Sequence, residues 1–187
     1  AKNTGVITSV RMAHRAKEMI REEDDKSYVE SFKKLLAWVD AFMQRNPGSL
    51  ASMKTENGAD GRPVFHSIFI CHAAMVKVAT TCCLRIVGID GAHMKLKHYN
   101  HQQLILEGRD GALRNTLIAT ALVPIENQQN YEWFLNKCTE AGLAVWLEGT
   151  ARKMVVISDR DKGLAPAVAN RLPSVHHRHL TTFPTAL

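Results

Sequence analysis

The chain has 187 residues, 45% of them hydrophobic, and a formal net charge of +6. That length and apolar content suffice for one domain with a buried core, or for one domain and a helical arm. No stretch approaches the roughly 20 apolar residues of a membrane span, and the charge is only a modest bias toward polyanions. The first residues, AKNTGVITSV, contain neither a starting Met nor the apolar core of a secretory signal, which favours an excerpt of a longer chain.

Four cysteines occur, and no two of them form a C-x-x-C pair. Because there is no secretory signal, reduced thiols are the expected state. Cys82 and Cys83 open an apolar run, so we expect both side chains to be packed rather than reactive.

Residues 1–63 are predicted to form a helical arm. Over 28–43 apolar residues recur mostly every three or four positions, which places them on one face of an α-helix. Trp38 is expected to be a core residue, with base stacking as the lesser alternative. The sequence NPGS ends that helix, because Pro lacks an amide proton and Gly permits the chain to reverse. An earlier helix is expected over 9–23, and the segment NGADGRP predicts a loop.

Residues 64–187 are predicted to form a domain of strands and helices. Short apolar runs rich in β-branched residues predict strands at 64–70, 84–89, 104–107 and 116–123. A hairpin turn is expected at 108–111. The later elements are predicted at 131–142 (helix), 154–157 (central strand), 163–172 (helix) and near Val175 (strand). This order predicts an α/β protein with a mixed sheet flanked by helices, and it matches the RNase H-like fold.

Two aspartates end predicted strands: Asp90 follows LRIVGI, and Asp159 follows MVVIS. If the two strands are parallel neighbours, both carboxylates emerge at the same edge of the sheet, where ligand sites of α/β proteins form. Carboxylates at that edge could hold hard cations such as Mg²⁺, and two such ions roughly 3.5–4 Å apart serve phosphodiester chemistry. Asp followed by Gly is also an ordinary turn signal, so the pattern alone leaves both interpretations open.

Three sequence blocks carry a family resemblance. The first is IVGIDGAHMKLKHYNHQQLILEGRDG, the second is ALVPIENQQNYEWFLNKC, and the third is VVISDRDKGLAPAVANRLPSVHHRHL. In order and wording they resemble the catalytic blocks of Mutator-like element (MULE) transposases, where G-x-D-G-[TA]-H-x-K and I-S-D-R-x-K-G-L follow the two strands. The resemblance spans about 84–180, and the helices before it are also similar to those that precede this catalytic core.

The resemblance implies a DDE-type enzyme that cuts and rejoins DNA with Mg²⁺ or Mn²⁺. Asp90 and Asp159 would be its first two catalytic acids and its metal ligands. Residues 64–187 would then be a truncated RNase H-like domain preceded by the arm over 1–63. DNA is the implied partner and the nucleus the implied location. No membrane association is implied, and a homo-oligomer is left open.

Other residues of the blocks have two possible roles each. His93, Lys95, Arg160 and Lys162 are candidate contacts to DNA or phosphate, or they are solvated charges. Glu126 opens the second block and is expected to cap or brace the following helix, with a catalytic role as the lesser alternative. Trp133 and Phe134 are expected to anchor that helix to the sheet.

Two departures from the family pattern affect the expected activity. The family's third acid is a Glu on a helix well beyond the second Asp, whereas the only acidic residue here after Asp159 is Asp161, which is too near to substitute. The family's C-x-x-H pair is replaced by HHRHL, which we interpret as a basic strand end rather than a zinc site. We therefore expect a transposase core fragment that is inactive alone. The alternative is a non-catalytic, transposase-derived remnant that binds DNA or a protein.

Overall fold

The computed structural model describes residues 14–15, 17–18, 27, 30–59, 61–94, 100–149, 153–159 and 162–179. The chain divides into two compact units, Ala1–Trp38 and Val39–Leu187. Most of the helix expected over 9–23 lies outside the described residues. Among the described residues, no helix is long and apolar enough to cross a membrane.

The first described elements are a helix and a β-hairpin. Helix α1 (Leu35–Arg45) ends where Gly48 adopts a positive φ of 81°, as the NPGS sequence predicts. Strand β1 (Leu50–Asn57) then pairs antiparallel with strand β2 (Pro63–Cys71). The sequence did not predict β1, whose second half is exposed and polar. The sheet therefore begins at Leu50, before residue 64, where the sequence placed the start of the catalytic domain.

The remaining elements are a helix, three strands, three helical segments, and then a strand, a helix and a last strand. They are α2 (Ala73–Cys82), β3 (Cys83–His93), β4 (Gln102–Asp110), β5 (Asn115–Val123), α3 (Gln128–Cys138), a π-helical segment (Thr139–Leu143), α4 (Ala144–Glu148), β6 (Val155–Ser158), α5 (Leu164–Arg171) and β7 (His176–His179). They confirm all the strands predicted from residue 64 onward and both helices predicted there. Helix α2 was not predicted.

The seven described strands form one sheet in the order β1-β2-β5-β4-β3-β6-β7. Pairing is antiparallel from β1 through β3, whereas β6 pairs parallel with β3 and β7 pairs parallel with β6. Along the chain, the antiparallel strands β3, β4 and β5 are followed by β6 and β7, which extend the sheet in parallel. This order, with helices between the later strands, confirms the expected RNase H-like mixed sheet.

The turn between β4 and β5 lies at 111–114, so the prediction of a turn at 108–111 was wrong. The carboxylate of Asp110 accepts hydrogen bonds from the amides of Ala112 and Arg114, both at 2.9 Å, and this closes the turn after residue 110. Gly108 stays in the strand for a different reason. A Cβ at Gly108 would lie 2.9 Å from the sulfur of Cys83, so glycine is needed there to let β3 approach.

One face of the sheet carries the core. Phe69, Val87 and Leu106 are fully buried, and α3 and α5 pack against each other over this face. The Phe69 ring lies 5.9 Å from the ring of Phe134, centroid to centroid, and 6.5 Å from that of Trp133. Helix α3 is thus anchored to the sheet by aromatic side chains, as the sequence predicts.

Two residues expected to be packed are exposed instead. Trp38 is 46% exposed, and Cys82 is exposed because it ends helix α2 rather than opening a strand. Cys83 is half-buried, and Cys138 is fully buried. Burial raises the pKa of the Cys71 thiol to about 11, so that thiol is protonated and unreactive at neutral pH.

Glu132 joins α3 to α5. Its carboxylate accepts hydrogen bonds from Gln128 at 2.9 Å, Asn170 at 2.9 Å and Arg171 at 3.0 Å. The bonds from Gln128, Asn170 and Arg171 lower the pKa of Glu132 to about 2. Because α5 follows the loop that carries Asp159, this contact also restrains the end of that loop.

Phe134→Ala is expected to lower the free energy of unfolding by about 3–5 kcal/mol, because it empties a fully buried ring site against Phe69. Urea denaturation measures the loss. Val145→Ala is the matched comparison, since Val145 is 82% exposed and should change stability by less than about 0.5 kcal/mol. Equal effects of the two substitutions would contradict the described core.

Glu132→Gln should lower stability at pH 7, and the difference from wild type should shrink as the pH falls. The folded-state pKa is depressed, so the ionised carboxylate stabilises the fold above the unfolded-state pKa near 4.5, and this contribution is lost as the pH falls toward about 2. Acid titrations of unfolding would measure it. Glu140→Gln, which removes an exposed carboxylate paired with Lys137, should not show this trend. A pH-independent difference for Glu132→Gln would contradict the assignment.

Candidate active site

The candidate site lies beside the parallel pair β3 and β6, with Asp90 inside β3, three residues before its end at His93, and Asp159 one residue beyond the end of β6. The sequence-based expectation that Asp90 ends its strand was therefore wrong, because β3 continues in pairing with β4. In the parallel pairing of β3 with β6, Gly88 lies opposite Ile157, so two further residues along each chain segment bring Asp90 level with Asp159. Strand alternation places both aspartates on the face opposite the buried Val87. Since neighbouring strands are about 4.8 Å apart, extension of this register by two residues predicts that the two carboxylates lie close together on one face of the sheet.

Both aspartates are accessible to solvent. Asp90 is exposed, and its Oδ1 accepts a hydrogen bond from the Gly91 amide at 2.9 Å. Asp159 is also exposed, one residue beyond the end of β6. Exposed carboxylates on or just beyond neighbouring strands are hard oxygen donors of the kind that Mg²⁺ and Mn²⁺ prefer, so the donor set fits a divalent ion.

The backbone of Asp159 is held by side chains from two strands. Its carbonyl oxygen accepts hydrogen bonds from the Ser158 hydroxyl at 2.8 Å and from Nδ1 of His179 at 3.1 Å. The Ser158 hydroxyl also contacts Nε2 of His177 at 2.8 Å, and Ser158 is 2% exposed. Burial and the neighbouring His179 ring lower the pKa of His177, so its ring is neutral at pH 7.

The start of α3 and the two residues before it lie close to Gly91 on β3 and to Gly163 at the start of α5. A Cβ at Gly91 would fall 2.3–3.0 Å from the Glu126 carboxyl atoms, so that carboxyl group rests on the residue after Asp90. A Cβ at Gly163 would fall 2.6–2.9 Å from backbone atoms of Asn127 and Gln128. The approach at Gly163 requires glycine because its neighbours are backbone atoms, whereas the Glu126 side chain at Gly91 could turn away.

Glu126 braces the site rather than capping the helix. The N-cap of α3 is Asn127, whose side chain accepts from the Asn130 amide at 2.9 Å. The sequence therefore identified the helix start, but it did not indicate which residue caps it. The contact between Glu126 and Gly91 had no local signal at all, because the two residues belong to different elements.

The other predicted contact residues are distributed around the site. His93 is exposed and, by the alternation of β3, lies on the face opposite Asp90. Lys162 is exposed in the loop after Asp159. Lys95 and Arg160 lie outside the described residues, as does Asp161. Across the described ranges, no three His, Cys, Asp or Glu side chains converge to form a metal-binding group.

Sequence reasoning missed the residues that support Asp159. Ser158, His177 and His179 form its hydrogen-bonded surroundings, yet the sequence marked the histidines only as a basic strand end. Half-burial and hydrogen bonding of His177 correct that interpretation. A weak signal was present in the alternation of His177 and His179, which puts both on one face of a strand.

A mixed sheet of this order, flanked by helices, is that of an RNase H-like domain. Residues 86–181, just over half of the chain, match the family described as MULE transposase domain. The chain belongs to the MULE transposase domain family. The resemblance carried by the three sequence blocks is thereby confirmed, and the family indicates a transposase-type role.

Wider comparisons are more distant. A similar solved structure is the cryo-EM structure of a simian T-cell lymphotropic virus intasome in complex with PP2A regulatory subunit B56 gamma. The matched chain is 14% identical over 52% of the present chain and 32% of its own length, with a TM-score of 0.36. The present chain thus spans about a third of that chain, and the fold assignment rests on strand order. No curated protein is significantly similar to the sequence.

Gly163→Ala is expected to lower the free energy of unfolding by about 1–3 kcal/mol, because the added methyl group would meet backbone atoms that cannot move freely. The φ of Gly163 is −83°, which Ala adopts easily, so the substitution tests packing alone. Gly88→Ala is the comparison, since no atom lies within 4 Å of its added Cβ. Urea denaturation of both variants measures the difference, and equal stabilities would disprove the close approach at Gly163.

Proposed function

We propose that Asp90 and Asp159 are the first two acids of a DDE-type transposase site that binds Mg²⁺ or Mn²⁺ and acts on DNA. The observation that supports this proposal is the parallel register of β3 and β6, which pairs Gly88 with Ile157, two residues before each aspartate. Family membership supplies the reaction class. The nucleus as location and a homo-oligomer as assembly belong to the same proposal, because they follow from the resemblance.

The proposed roles of the residues follow from their side-chain chemistry. When bound, divalent ions supply activation of a water or a 3′-hydroxyl and stabilisation of the leaving oxygen in phosphodiester cleavage. Asp90 and Asp159 provide oxygen ligands and face solvent, so a DNA strand can reach them. Lys162 lies three residues beyond Asp159 and is exposed, which suits a contact to backbone phosphate. His93, Lys95 and Arg160 are assigned DNA or phosphate contacts by resemblance.

Cleavage by residues 1–187 alone is not expected. The family's third acid is a Glu beyond the second Asp, and Asp161 is the only acidic residue after Asp159 here. Members of a shared catalytic site act as a unit, so losing one typically lowers the rate by orders of magnitude. We therefore propose that this chain retains metal binding but does not cut DNA by itself.

The second candidate function is a non-catalytic, transposase-derived remnant that binds DNA or a protein. One sequence feature favours it: the replacement of the family's C-x-x-H pair by HHRH. Under this alternative the aspartates are retained by descent and do not bind metal. Metal binding therefore separates the two functions.

Titration with Mn²⁺ should show binding to the wild-type chain and at least tenfold weaker binding to an Asp90→Asn, Asp159→Asn variant. The physical reason is that the substitutions remove both negative charges while keeping the shape of the side chains. Isothermal titration calorimetry or electron paramagnetic resonance of free Mn²⁺ measures the affinity. An Asp40→Asn, Glu140→Gln variant is the matched comparison, because it removes the same charge from exposed positions elsewhere. Equal affinities for wild type and the site variant would exclude the metal site.

Nicking of supercoiled DNA in the presence of Mn²⁺ tests the expectation of inactivity. Wild type should leave the plasmid intact. Nicking by wild type that is absent from the Asp90→Asn, Asp159→Asn variant would show that residues 1–187 suffice for cleavage and that the third acid is supplied differently.

A further inference from the structure

We propose that His177 and His179 are positioning residues that orient Asp159 through hydrogen bonds, each donated from one particular ring nitrogen. This inference rests on the proposed function, since it concerns the orientation of a candidate metal ligand. Its contacts are those of the Asp159 carbonyl with Ser158 and His179, and of the Ser158 hydroxyl with His177.

The direction of each hydrogen bond follows from proton counting. The Asp159 carbonyl can only accept, so the single hydroxyl proton of Ser158 is donated to it. The contact between Ser158 and His177 then requires the proton on Nε2 of His177. By the same rule, Nδ1 of His179 carries the proton that the carbonyl accepts. When both rings are neutral they therefore hold opposite tautomers, although their centroids are only 4.7 Å apart.

The need for this support follows from the shortness of β6. The strand has four residues, and its pairing with β3 extends from Val155 only to Ile157. Asp159 lies two residues beyond the last pair and one residue beyond the end of the strand. Two hydrogen bonds to its carbonyl restrain the peptide group after Asp159, and this restraint limits the directions that its carboxylate can take toward Asp90.

Ser158 transmits the contribution of His177. It is 2% exposed, so its hydroxyl has no access to bulk water, and an unpaired buried hydroxyl is unfavourable. His177 satisfies the oxygen of this hydroxyl and so fixes its proton on the Asp159 carbonyl. Groups that hydrogen-bond to a metal ligand typically change metal affinity by about 10–100-fold when removed.

Amide side chains offer a position-specific test, because Gln places an amide nitrogen near Nε2 of His and Asn places one near Nδ1. His177→Gln and His179→Asn should keep Mn²⁺ affinity within about threefold of wild type. His177→Asn and His179→Gln should weaken it by about tenfold or more. His176→Asn is the comparison, since His176 is exposed on the other face of β7 and should leave affinity unchanged. Urea denaturation verifies that each variant is folded.

The crossed pattern separates positioning from a merely structural role. If both substitutions at each histidine weaken binding equally in folded protein, the rings act by packing and the inference is wrong. If none of the four weakens binding, while Asp90→Asn, Asp159→Asn does, the proposed function stands and the positioning inference alone fails. If wild type binds no Mn²⁺, the proposed function itself fails.

A second measurement does not depend on metal binding or on any variant. Long-range ¹⁵N–¹H correlation spectra of the wild-type chain at pH 8 report the tautomer of each histidine. We expect the Nε2–H form for His177 and the Nδ1–H form for His179. The reverse tautomer at either ring, or rapid averaging of both, would overturn the hydrogen-bond directions on which the inference rests. Ser158→Ala should release the preference at His177 and leave that at His179.

Discussion

The parallel pairing of β3 with β6 is the constraint on which the candidate site depends. It involves few residues, yet its register, extended by two residues along each chain segment, aligns Asp90 with Asp159. A slip of one residue in either strand would carry one carboxylate to the opposite face of the sheet. The register is held by burial, because Val87 and Val156 must both face the core and are fully buried there. Hydrophobic packing on one face thus determines the polar geometry on the other.

The edge formed by these strands is restrained from three directions. Glu126 packs on Gly91 beside the first aspartate, and the start of α3 packs on Gly163 beyond the second. The histidines of β7 hold the backbone of Asp159 from the far side. Few of these contacts are apolar, so the core contributes little to the fine positioning of the carboxylates. Close approach of the backbone and hydrogen bonds position the carboxylates instead. The close approach depends on glycine at Gly163, and the hydrogen bonds depend on one ring nitrogen of each histidine.

The segment that matches the family and the residues that form the sheet differ in extent. The MULE transposase match begins at residue 86, within β3, and ends just after β7, so it contains both aspartates and the elements between them. The hairpin of β1 and β2 lies outside that match, although it extends the same sheet through the pairing of β2 with β5. Phe69 on β2 contributes to the core beneath α3, so the matched segment is packed partly against residues that precede it.

The sequence by itself determined the strands and the two longer helices predicted from residue 64 onward, although not α2, and it determined the family. Each depends on local information: alternation, helical spacing, or the wording of a motif. Strand β1 was not predicted because an exposed edge strand lacks an apolar pattern. The β4–β5 turn was misplaced because Gly108, taken as a turn residue, lies in β4 and leaves room for the Cys83 side chain. Only the tertiary structure decided that Glu126 touches Gly91 and that His177 and His179 support Asp159. These contacts join residues roughly 20 to 35 positions apart, and strand register and backbone approach, which no local pattern encodes, decide which atoms meet.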